Sequence, residues 1–92
     1  MGHESQWIVV QRCIRLAAAL IEKWVHEDDL ILLVANGEDI PPAALEKRFE
    51  EDRSRLRTHF GCTLEYHRPT RMYHIRDAGI LEPVIAAGRA RD

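Results

Sequence analysis

A surplus of positive charge is the first thing this sequence lacks. Its 13 Lys and Arg are outnumbered by 15 Asp and Glu, for a formal net charge of −2, so general affinity for polyanions is not its mode of action. Long apolar runs are missing as well: the longest, Leu30 to Ala35, is far short of the roughly 18 residues that span a bilayer. The opening residues MGHESQ have neither the charged nor the apolar region of a signal peptide. Gln6 stands where an N-myristoylation motif carries Ser or Thr. A cytoplasmic protein with no membrane contact is expected.

Cysteine is scarce. Cys13 and Cys62 are the only two, and in a reducing compartment they are expected to be small buried apolar residues rather than a disulfide. Internal repeats and low-complexity segments are absent. So are a Gly-rich phosphate loop, a nucleophile elbow and a carboxylate pair in a defined cleft, and no enzyme is expected. His59 and Cys62 have a ligand-like spacing, but His67 and His74 fall on a turn and a strand with no second close pair. No metal and no cofactor are expected.

What is present suits one domain: 92 residues, 46% of them hydrophobic, are enough for one modest core. That core is expected over about residues 7–76, with a tail over 77–92. The organising stretch is 41–75. Asp39 is a possible N-cap, and Pro41 and Pro42 fit a first turn, where a missing N–H costs nothing. Leu45, Phe49, Asp52, Leu56 and Phe60 then recur at helical spacing on one face, and Gly61 ends the run. Beyond it the period becomes two, with Leu64 and Tyr66, then Tyr73 and Ile75, alternating with more polar neighbours. His67-Arg68-Pro69-Thr70-Arg71 is the turn between these strands.

Upstream, the periodicity predicts a helix over 7–26. Trp7, Val10, Ile14, Ala17 and Ile21 lie on one stripe and Val9, Cys13, Leu16 and Leu20 on the next, with Arg12 and Arg15 on the polar face. Asp28 or Asp29 is expected to cap a second helix, and Asn36-Gly37 to stop it. Ile80 to Ala87 is a short apolar segment interrupted by Pro83, expected either to fold back on the core or to pair with another subunit. The fold class is therefore α+β: a winged helix-turn-helix of three helices followed by a two-stranded hairpin wing, with a short C-terminal extension.

Charge is unevenly spread along the chain. Residues 1–46 hold three Lys/Arg against eight Asp/Glu, whereas the window from Arg53 to Arg76 holds six arginines and one acid, Glu65. A local basic patch on an acidic protein suits phosphate contact. On a recognition helix over about 41–60, Ala43 allows close approach, Lys47 and Arg48 are the base-edge or phosphate candidates, and Ser54 and Arg55 reach the backbone. Arg68, Thr70 and Arg71 of the wing (67–71) add phosphate or minor-groove contacts. Glu50 and Glu51 oppose deep insertion unless paired, for example Glu51 with Arg55. The expected partner is double-stranded DNA, with a homodimer formed through helix 1 or the C-terminal segment. The alternative is a protein-interaction adaptor that binds no DNA.

The segment DRSRLRTHFGCTLEYHRPTRMYHIRD resembles the end of the N-terminal winged helix-turn-helix domain of bacterial WYL-domain transcription regulators. In that family a helix with an Arg-Asp-Leu-x-x-Leu pattern leads into a glycine, a strand, a basic turn and a second strand. Asp52 and Leu56 match the Asp and second Leu, Gly61 the glycine, Leu64-Glu65-Tyr66 the first strand and Tyr73-His74-Ile75 the second. Glu51, Arg53 and Met72 depart from the pattern, as do Leu45 and Arg48 where the family has a Ser-x-x-Thr type helix start. No WYL domain lies within these 92 residues, so a stand-alone DNA-binding domain or a fragment of a longer regulator is expected. The resemblance reaches loosely back to Arg15-Leu16 and implies a small DNA-binding transcription regulator.

Overall fold

The computed structural model describes residues 5–90. Its first helix, α1 (Gln6–Glu22), starts at Ser5, whose hydroxyl accepts from the Ile8 amide at 3.2 Å, the usual remedy for an orphan N–H in a first turn. The helix ends at Glu22, earlier than its periodicity predicts, because Lys23 is extended. Val25–His26 instead form a short strand, β1, paired antiparallel with Tyr73 and Met72. The reason lies elsewhere in the chain: the later hairpin offers an open strand edge, and pairing satisfies backbone groups on both sides. Trp24, next to β1, stacks on the His74 ring at 5.1 Å.

Helix α2 (Glu27–Ala35) is capped by His26, whose Nδ1 accepts from the Asp28 amide at 3.1 Å. The expected caps, Asp28 and Asp29, lie instead with Glu27 in the first turn, where their charge favours the helix dipole. Asn36 (φ 51°) and Gly37 (φ 80°) end the helix in left-handed conformations, as expected of residues that tolerate that region. Helix α3 (Pro42–Thr58) has Pro41 at its N-cap position and no side-chain cap, so the expected capping role of Asp39 is not filled. After α3, Gly61 turns left-handed and the Cys62 amide reaches back to the Leu56 carbonyl at 2.8 Å.

Strands β2 (Thr63–His67) and β3 (Met72–Asp77) form the expected hairpin. With β1 added they make a three-stranded antiparallel sheet of order β1-β3-β2. A 3-10 turn, Gly79–Leu81, then leads into a fourth helix, α4 (Glu82–Ala90). Two expectations therefore need correction. Among the described residues there are four α-helices rather than three, and three strands rather than two. Of the two alternatives for the apolar segment in the expected 77–92 tail, the one seen is folding back on the core, where Leu81 and Ile85 are buried. Pro83 falls in the first turn of α4, where a missing amide breaks no intrahelical bond.

The architecture is α+β, and its element order and strand order are compatible with a winged-helix-like fold. The core is filled by Cys13, Leu16 and Leu20 of α1, Leu30 and Val34 of α2, Phe49 and Leu56 of α3, and Tyr73 and Ile75 of β3. Arg12, expected on the polar face of α1, is buried and bound to the buried Asp52 of α3. Among the described residues no helix is long and apolar enough to cross a membrane.

Cys13 and Cys62 are both free and buried. Burial, and after it the charge of Asp52, pushes the Cys13 thiol from 9.0 up to about 11. The folded chain thus holds this proton more tightly than the unfolded one. The associated stability is fully present below pH 9 and is lost as pH rises through about 11, a difference of about 3 kcal/mol by linkage. Denaturant titrations of a Cys13→Ala variant should therefore show a shallower fall in stability across this interval than the parent shows. Parallel curves would dismiss the thiol as the source.

Candidate nucleic-acid interface

Helix α3 buries Phe49, Asp52 and Leu56. This spacing turns the opposite face outward, and Ala43, Lys47, Glu51 and Ser54 are all exposed. Four residues, 59–62, separate the helix from the hairpin, whose turn is also exposed and belongs to the same half of the chain. These residues are exposed as the helical period requires, but many of the neighbouring cations are already engaged.

Arg48 is turned toward Glu38, at 3.3 Å. Arg55 binds the Asp52 carboxylate at 2.7 Å, and not Glu51 as the spacing had suggested. Arg71 reaches Glu27 at 2.7 Å across the molecule. Arg76 lies 3.5 Å from Glu65. Arg53 points inward, where its guanidinium lies 5.3 Å and 5.6 Å from the Phe49 and Tyr73 ring centres and donates to the Tyr73 hydroxyl. Burial raises the Tyr73 hydroxyl pKa above its ordinary value, against the opposing charge of Arg53. Thr70 is tied to His67 through its hydroxyl at 2.7 Å.

Three cations of α3 and the hairpin remain. Among the described residues, Lys47 and Arg57 on α3 and Arg68 on the turn have no carboxylate within ion-pair distance. They are the groups whose charge is available to a phosphate without breaking an internal bond. Against them stand Glu46, Glu50 and Glu51, exposed on α3.

An open cleft of about 230 Å³ lies where α2, α3 and the hairpin meet, lined by Glu27, Asp28, Glu46 and Glu50 together with Arg53 and Arg71. Its carboxylates outnumber its guanidiniums, so the cleft disfavours an anion. The part played by Glu27 and Asp28 went unnoticed in the sequence, because the bond from Glu27 to Arg71 spans 44 positions. Among the described residues no three His, Cys, Asp or Glu side chains gather as a metal site. His59, His67 and His74 contact Thr58, Thr70 and Glu65 respectively.

No protein-family model matches the chain, and comparison with curated proteins and with solved structures finds no significant relative. The reading of function therefore rests on the residues and their geometry.

Proposed function

We propose that this chain is a winged helix-turn-helix DNA-binding protein that acts as a transcription regulator. The observation that carries this reading is α3: it is the second of two helices joined by a short Asn-Gly turn, it leaves Ala43, Lys47 and Ser54 exposed, and a hairpin with Arg68 at its turn follows it. A helix presented in this way fits the major groove, and a basic hairpin beside it fits the flanking backbone. The resemblance of residues 52–75 to the WYL-domain regulators is in keeping with it. Lys47 and Arg68 would make the principal contacts. Ala43, Ser54 and Thr70 would line the approach, and Arg48 and Arg55 would act mainly through their carboxylate partners.

So few free cations would give one domain weak discrimination, and pairing two half-sites would raise it. Exposed apolar residues at the start of α1, Trp7 and Ile8, and around α4, Ile80 and Val84, would supply a homodimer contact.

The test is a titration against duplex DNA at two salt concentrations. A Lys47→Ala, Arg68→Ala double variant is expected to bind at least about tenfold more weakly, with a log-log salt slope shallower by about two charges. Parent-like binding by the double variant would remove the assigned surface from consideration.

A second reading, a protein-interaction adaptor, is favoured by the engaged arginines and by Glu46, Glu50 and Glu51 on the outer face of α3. A folded parent chain with no duplex affinity at low salt would favour it over DNA binding.

A further inference from the structure

Arg71 is the one wing residue held from two directions. Its side chain gives Nε to Glu27 Oε2 at 2.8 Å and a second nitrogen to the same oxygen at 2.7 Å. Its main-chain carbonyl accepts from the Glu27 amide at 2.9 Å. Asp28 adds a weaker contact at 4.0 Å. Glu27 is the first residue of α2 and directly follows β1, so one residue of the turn is fastened to the junction of strand and helix.

The backbone at Arg71 is also unusual. With φ 56° it occupies the left-handed region without being glycine, a conformation that L residues adopt at a cost unless their surroundings hold them there. Here the side-chain and main-chain bonds to Glu27 hold it, and the Arg71 amide closes the turn onto the Arg68 carbonyl at 3.3 Å. A phosphate contact by Arg71 would have to displace the carboxylate that both of these nitrogens already bind. Arg68 faces no such competition.

We infer that Arg71 and Glu27 form a clamp that sets the angle of the hairpin against α2, so that Arg71 is a positioning residue and Arg68 is the wing's phosphate contact. The inference rests on the DNA-binding reading for its consequence, but not for the clamp itself. It predicts a result opposite in sign to simple electrostatics. Removing a carboxylate beside DNA should strengthen binding if its charge is all that matters. Loosening the clamp should weaken binding, because the hairpin must then be ordered on association.

The experiment compares the parent with Glu27→Gln, Arg71→Ala and the double variant. Affinity for a mixed-sequence duplex is measured at two salt concentrations, and amide hydrogen exchange at residue 27 is measured without DNA. Each single variant should bind about threefold to fivefold more weakly, in the range of one well-formed surface ion pair. The double variant should be no worse than Arg71→Ala, the salt slope should stay at the parent value, and exchange at residue 27 should quicken in all three. Tighter binding by Glu27→Gln, or a salt slope shallower by about one charge in Arg71→Ala, would overturn the assignment. Unchanged exchange at residue 27 would overturn the clamp. If the parent shows no duplex affinity, the DNA-binding reading fails on that result, and the exchange measurement still decides the clamp.

Discussion

Arg12→Ala should destabilise the fold by about 3–5 kcal/mol, the range for a buried ion pair that loses one partner. Asp52 is completely buried, and the Arg12 side chain is 3% exposed. The guanidinium grips the carboxylate with two nitrogens, Nε on one oxygen and a terminal nitrogen on the other at 2.9 Å. Without Arg12, the carboxylate would keep only the partly exposed Arg55, at 2.7 Å, and would be left under-paired inside the core. Asp52→Ala should also destabilise the fold, because it removes the one carboxylate that both Arg12 and Arg55 bind.

A small domain is stable by only about 5–15 kcal/mol, so either change should lower the denaturant midpoint markedly. The pair itself is a different matter. Two charges taken out of water can be replaced by apolar residues of similar size at little cost. The double variant Arg12→Met, Asp52→Leu should therefore lose less than either single alanine variant. The measurement is urea unfolding of all three chains. Losses below about 1 kcal/mol for the single variants, the level of an exposed pair, would show that the carboxylate finds other solvation.

Gly79→Ala is the second large effect, and its cause is backbone rather than charge. A β-carbon at this position would lie 2.1 Å from the Phe60 carbonyl oxygen and 2.7 Å from the Gly61 carbonyl carbon and oxygen. These are main-chain atoms, which cannot swing aside as a long side chain can. The Phe60 oxygen also accepts from the Ile80 amide at 3.0 Å, so making room would strain the joint that brings Leu81 and Ile85 into the core. The φ of 57° adds a further penalty of about 1–2 kcal/mol for any L residue.

A total of about 3 kcal/mol or more is expected, at the upper end of single-substitution effects. Gly61→Ala is the matched control. Its φ is similar at 68°, but a β-carbon there meets nothing within 4 Å, leaving only the conformational penalty. Thermal unfolding of both variants separates the two contributions. If Gly79→Ala proves no worse than Gly61→Ala, the close approach carries no weight.

The elements that were readable from the sequence are those specified by neighbouring residues. The 3.6-residue spacing of Phe49 and Leu56 marks α3, Asn36-Gly37 marks the end of α2, and the change of period after Gly61 marks the hairpin. Each signal lies within a few positions of its consequence. Strand β1 could not be read in this way. Val25 and His26 continue a helical pattern, and they become a strand only because β3, more than forty residues later, offers them an edge. Helix α4 was hidden by Pro83, which breaks a helix interior but fits a first turn.

The candidate interface divides along the same line. Which residues of α3 and of the turn face outward follows from periodicity, and Ala43, Lys47, Ser54, Arg68 and Thr70 are exposed as that periodicity requires. Which arginines are free does not follow from it. Six arginines between positions 53 and 76 looked like one basic patch, yet Arg53 lies against two aromatic rings and Arg55, Arg71 and Arg76 face carboxylates. Of those carboxylates, Glu65 lies within the same stretch of chain and Asp52 immediately before it, whereas Glu27 comes from the other half.

The sequence by itself determined the helices α1 to α3, the hairpin and the outward face of α3, because side-chain period and turn chemistry act over a few residues. Only the tertiary structure decided the third strand, the docking of α4, the burial of Arg12 with Asp52 and the fastening of Arg71 to Glu27. Partners in such contacts are chosen by proximity in space, and no local pattern in the chain encodes that proximity.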